Sequence, residues 1–133
     1  MAEAHGDRPE DAEIFIALAY DDQKRKATSE ARELYERALR LDPDSNDAAT
    51  NLGVIEAQSG HLSKALALWE KAFERAPERS AIGLNLARGF CVSAEFDKAR
   101  ASVARVLEFN PDSAEARQLQ KHLNATPPAC GMR

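Results

Sequence analysis

The chain has 133 residues, 44% of them hydrophobic and 30% charged, and a formal net charge of −4. That length supports one domain with a sizeable core. The weak acidic balance argues against a nucleic-acid surface, which usually shows a basic excess, and it is too small to mark an acidic disordered tail.

Residues 1–11 read as a polar N-terminal segment, MAEAHGDRPED, without the apolar stretch of a secretory signal. From residue 12 onward Ala, Leu, Glu, Arg and Lys dominate, which favours helix. The first helical stretch ends in the basic cluster Lys24, Arg25, Lys26, read as a solvated turn because it is too short for a phosphate-binding stripe. A second helix carries Ala31, Tyr35, Ala38 and Leu39 and stops at DPDSND, where Pro43 ends it.

The next pair is marked by Ala48, Leu52 and Ile55, then Leu62, Ala65, Leu66, Trp69, Ala72 and Phe73 at helical spacing. Between them Gly60 suits a helix C-terminal cap. A third pair follows APERS and closes at Pro111. The Pro-containing breaks each offer an Asp or Ser that can cap the next helix, and Asp112 with Glu115 has capping-box spacing. DSAEARQLQKHLN then reads as one amphipathic helix, and ATPPACGMR as a short extended tail.

The three pairs are copies. Pro43, Pro77 and Pro111 stand 34 residues apart. In the same register lie Leu18, Leu52 and Leu86; Ala19, Gly53 and Ala87; Ala31, Ala65 and Ala99; and Tyr35, Trp69 and Val103. So do Ala38, Ala72 and Val106, and Leu39, Phe73 and Leu107. Chance does not give seven such positions across three copies. The small residues let the two helices of a pair approach closely, and the large ones fill the space beside them. The first copy departs most, with Lys26 and Thr28 where the second has Gly60 and Leu62.

This pattern resembles the tetratricopeptide repeat, a 34-residue helix–turn–helix with small-on-small packing and a terminal Pro. The expected fold is all-α: a right-handed superhelical α-solenoid of antiparallel helix pairs, three repeats plus a capping helix. The expected boundaries are 12–124 for the repeat domain, with repeats at about 12–45, 46–79 and 80–113, a cap at about 113–124 and a tail at 125–133. Lys121 falls at the small-residue register of the cap, which suits a helix that ends the stack. The polar start offers no matching cap, so the chain reads either as a fragment or as a domain whose first edge a partner covers.

The resemblance implies a non-enzymatic interaction scaffold, with a peptide or partner protein held in a concave groove made by the first helices. By register the groove residues are Ile16, Tyr20, Thr50, Asn51, Val54, Leu84, Asn85 and Arg88, flanked by Glu13, Ala17, Gln23, Ala57, Cys91, Gln118 and His122. Asn51 and Asn85 share a register, and their amides suit the backbone of an extended peptide. Arg88 suits a carboxylate, and Tyr20, Val54 and Leu84 give an apolar floor. Repeats that clamp acidic chaperone tails use two Lys, two Asn and an Arg. Here the matching places hold Ile16, Tyr20, Asn51, Ala81 and Asn85, and only Asn51 fits. The alternative function is an assembly element, either a segment of a larger repeat protein or a self-associating module joined through helical edges.

His5, His61 and His122 are scattered, and no metal-ligand spacing or glycine-rich phosphate loop occurs, so no enzyme, metal or cofactor is expected. Cys91 and Cys130 lie far apart in sequence and read as two free thiols. No apolar run approaches the roughly 18 residues of a membrane span. The expected partners are therefore proteins or peptides, without nucleic acid or membrane insertion, and the expected location is cytoplasmic.

Overall fold

The structure is a computed structural model that describes residues 8–131. The polar start, with His5, lies mostly outside them. Among the described residues seven helices follow a short 3-10 turn at Pro9–Asp11: α1 Ala12–Lys24, α2 Thr28–Leu41, α3 Asn46–Gln58, α4 Leu62–Arg75, α5 Ser80–Val92, α6 Phe96–Phe109 and α7 Ala114–Leu123. No strand occurs among the described residues. The chain divides into two compact units, one ending at Leu68 and the other beginning at Trp69, so the division falls inside α4.

The three turns within pairs are built alike, the divergent first one included. Lys26, Gly60 and Ala94 occupy one register and all have positive φ, at 67°, 89° and 61°. After each, a backbone N–H reaches back to the last turn of the preceding helix. Ala27 donates to the carbonyl of Asp22, His61 to that of Glu56, and Glu95 to that of Phe90. This six-residue closure satisfies carbonyls that the helix end leaves open. Glycine is the residue that takes a left-handed φ without strain. Lys26 and Ala94 show that the pair's packing imposes the turn even where the sequence gives no glycine.

The breaks between pairs are equally regular. Ser45, Arg79 and Ser113 donate their N–H to the carbonyls of Asp42, Ala76 and Asn110. Ser45 and Ser113 then cap the next helix, each hydroxyl accepting from the N–H three residues on. The cap of α7 is therefore Ser113 and not the expected Asp112. At Arg79 no side chain caps the helix.

In the first unit α1 folds back on α2, and α3 packs on α2. Ala19 and Ala31 are fully buried, as small residues at a close helix crossing should be. Around them Ala12, Ile16, Tyr35, Ala38, Ala48, Leu52 and Ile55 form the core, with Phe15, Leu34, Leu39, Leu41 and Leu68 against it. In the second unit α5 packs on α6 and α6 on α7. Ala87, Ala99, Val103, Val106, Ala116 and Leu123 are fully buried there. Gly83 on α5 sits so close to Phe73 of α4 and Val106 of α6 that a Cβ at this position would collide with both.

The tail is not free. Cys91 on α5 and Cys130 are joined by a disulfide, with their Cα atoms 5.7 Å apart across 39 residues of sequence. The expectation of two free thiols is thus corrected. Sequence distance is a poor guide here, because α6 carries the chain away from α5 and α7 brings it back.

Candidate functional site

The register predicts which side of each first helix should face a ligand, and the two units treat that side differently. In the first unit Ile16 is buried in the core and offers almost no surface. Tyr20 is exposed, and the Lys24 ammonium stands 5.2 Å from its ring centroid, a cation–π distance. Glu13 and Ala17 are exposed, while Thr50, Val54 and Ala57 are half-buried.

Asn51 is engaged within the protein. The Tyr35 hydroxyl donates to Gln23 Oε1 at 2.8 Å, and the Asn51 side chain hydrogen-bonds the same hydroxyl. Burial pushes the Tyr35 phenol up to about 12, against the opposing pull of Asn51. A desolvated phenolate is the disfavoured form, so Tyr35 is a neutral donor at any ordinary pH. Gln23 and Asn51 therefore serve the junction of α1, α2 and α3. Any ligand contact from them would use their remaining capacity.

In the second unit Leu84 is buried, a correction to its place on an apolar floor open to ligand. Asn85 is half-buried. Arg88 pairs with Glu115 on α7 at 2.6 Å, which ties α5 to the capping helix. Arg88, Glu115, Gln118, Leu119 and His122 line a hollow of about 200 Å3, and Cys130 and Gly131 of the tail close one side of it. The structure thus brings together Arg88, Gln118 and His122, three of the residues expected to face a ligand. A wider hollow of about 500 Å3 lies between α4 and α6, lined by Phe73, Pro77, Ser102, Arg105 and Glu108 among others. It belongs to the second helices of the pairs, not the first.

One site was not anticipated. Glu56, at the end of α3, is fully buried. It accepts from His61 Nδ1 at 2.8 Å and from Arg32 Nε at 3.2 Å, with Lys64 Nζ at 3.5 Å. Burial pushes its carboxyl up, but the hydrogen bonds from His61 and Arg32 and the charges of Arg32 and Lys64 outweigh it and hold the carboxyl below its usual range. A buried carboxylate needs such a cage. Arg32 also donates to the Ser59 hydroxyl at 2.8 Å. The cluster fastens α2 to the turn between α3 and α4. The signal in sequence is weak: acidic and basic residues fall together at a turn, and nothing in their spacing shows that the acid is buried.

The basic cluster at the first turn is occupied locally, with Arg25 paired to Asp21 and Asp22. Among the described residues no group of three or more His, Cys, Asp or Glu could hold a metal ion. No described helix is long and apolar enough to cross a membrane.

Comparison with known proteins follows the same repeat. Two tetratricopeptide repeat profiles match, one over residues 56–123 and one over 14–45. No match was found among curated proteins. The first tetratricopeptide domain of Spaghetti (RPAP3), solved bound to an HSP90 peptide SRMEEVD, is 16% identical with a TM-score of 0.80; the match covers 89% of this chain and 94% of that one. The Arabidopsis OM64 TPR domain is 17% identical with a TM-score of 0.78, over 86% of this chain and 95% of that one. YrrB, described as a TPR protein with an unusual peptide-binding site, is 21% identical with a TM-score of 0.74, over 83% of this chain and 57% of its own length. At these identities the likeness concerns the fold, an all-α helical repeat.

Proposed function

We infer the function from one premise: the chain belongs to the tetratricopeptide repeat family, whose members generally act as protein-interaction modules and not as enzymes. On that premise the chain is a non-enzymatic scaffold that holds a peptide or a partner protein on the face made by its first helices. The observation that carries this reading is the hollow lined by Arg88, Gln118 and His122, with Asn85 half-buried one turn before Arg88. A guanidinium, an amide and an imidazole converge there, and together they offer donors and acceptors for a peptide backbone or a carboxylate. That Spaghetti was solved with a peptide bound supports the same use of the fold. Its acidic peptide is not the expected ligand, because this chain keeps only Asn51 of the clamp residues.

The test is selection of extended peptides from a displayed random library on the full chain, followed by titration against Asn85→Ala and Arg88→Ala. Selected peptides should bind either variant roughly tenfold or more weakly, as loss of a charged or buried polar contact implies. Equal binding by wild type and both variants would move the site off this face.

A second reading, assembly, is favoured by a different observation. Leu18, Leu52 and Leu86 share one register, yet Leu18 is 51% exposed where Leu52 and Leu86 are 3% and 4% exposed. Ile14, one turn earlier, is 57% exposed. In the later copies a second helix precedes this face in the chain, whereas among the described residues α1 is preceded only by the short 3-10 turn. A further helix pair or a second copy would fit there. Sedimentation over a hundredfold range of concentration tests it, and a constant monomer would rule out self-association through this edge. For location, the Cys91–Cys130 disulfide favours an oxidising compartment.

A further inference from the structure

The tail crosses the same face that the proposed function assigns to a ligand. From the end of α7 it turns back, and Ala129 donates its N–H to the His122 carbonyl at 2.9 Å. Gly131 rests against the His122 ring so closely that a Cβ there would stand 2.5 Å from Nδ1, with φ at 68°. Nδ1 is buried and makes no hydrogen bond within the protein. Cys130 is bonded to Cys91, which stands one helical turn after Arg88. Beyond these contacts the tail buries little: Ala125, Thr126, Pro127 and Ala129 are all exposed. A covalent bond is what keeps a poorly packed segment over a polar hollow.

We propose that residues 125–131 are a redox-released strap that occludes the Arg88–Gln118–His122 hollow while the disulfide stands and uncovers it for a peptide when the disulfide is reduced. The proposal rests on the peptide-binding reading above. Accessibility sets the course of the reaction. Cys91 is 3% exposed, while Cys130 is half-buried at the edge of the hollow. A thiolate of a dithiol reductant therefore attacks Cys130 Sγ, the Sγ–Sγ bond breaks, and Cys91 leaves as a thiolate and takes up a proton. The reductant's second thiolate then attacks its own sulfur in the mixed disulfide. Cys130 leaves as a thiolate and is protonated. Two electrons have passed from the dithiol, which ends as a disulfide, and the chain has gained two thiols. Release also returns His122 Nδ1 to water, which relieves a buried polar atom without a partner.

The experiment uses the full chain in three forms: oxidised wild type, wild type in dithiothreitol, and Cys130→Ser. Amide hydrogen exchange reads the strap. Reduction or Cys130→Ser should speed exchange at Ala129 and Gly131 and leave α1–α3 unchanged. A displayed random peptide library is then selected on Cys130→Ser. The selected peptides should bind the oxidised chain about tenfold or more weakly, as a site open a tenth of the time or less would, and dithiothreitol should restore the affinity. Unchanged exchange in the tail, or equal affinity in both redox forms, overturns the strap and leaves the peptide-binding reading standing. Selection of no peptide by the reduced chain overturns that reading and the gate with it, even if exchange shows the tail released.

Discussion

In the first unit α1, α2 and α3 are joined by hydrogen bonds, and in the second α5 is joined to the tail by a covalent bond. Tyr35, Gln23 and Asn51 form the first junction. The positions 68 residues on are Val103, Cys91 and Leu119. Val103 has no hydroxyl to offer, so the Gln23 register loses its polar partner, and a cysteine there is free to reach Cys130. The comparison teaches that the repeat fixes where a side chain points but not what it does there. One scaffold position is a hydrogen-bond acceptor in one unit and an anchor for the tail in the other.

Breaking the covalent junction should have the largest effect. By chain entropy, a disulfide spanning 39 residues stabilises by roughly 4 kcal/mol. Cys130→Ser should lower the stability of the second unit toward that extent in denaturant melts, while exchange in the first unit stays the same. The hydrogen-bonded junction should fail in alkali. The Tyr35 phenol is pushed up to about 12 from an ordinary value near 10, so its contribution is intact below about pH 10 and is lost as pH rises through 12. That amounts to about 2 to 3 kcal/mol, and Tyr35→Phe should flatten the loss.

Overpacking probes the second unit alone. Gly83→Ala should cost about 2 kcal/mol, because the added methyl must displace Phe73 and Val106. Acid probes the first. The Glu56 carboxyl is held below its usual range, so its contribution is present above the ordinary carboxylate value and lost as pH falls through the lowered one. Acid titration monitored by exchange should loosen the α2–α3 junction first, and Glu56→Gln should remove that sensitivity. The smallest effect should be a gain. Ala94→Gly removes left-handed strain and should stabilise by about 0.5 to 1 kcal/mol, whereas Gly60→Ala, with open space around it, should cost a similar amount.

The helix pairs were legible because their causes repeat. Pro43, Pro77 and Pro111 mark the ends, and Ala19 with Ala31 marks a close crossing, so a period of 34 residues reveals them. The turn at Lys26 was less legible, because a single residue type hides a conformation that the whole pair dictates. The candidate site was read in part. Arg88, Gln118 and His122 do converge, since register alone places them. Ile16 and Leu84 turned out buried, because the same helix face serves both core and surface and the boundary depends on neighbours. Cys130 was missed for a different reason. The tail has no period, and its position depends on one bond between residues that no local rule connects.

The disulfide also decides how the chain carries load. A pull applied beyond Cys130 passes directly into α5 and bypasses α6 and α7. The 39-residue loop between the two cysteines bears no tension and cannot be drawn out. Its contour, about 130 Å when fully extended, stays hidden from any stretching force until the bond is reduced.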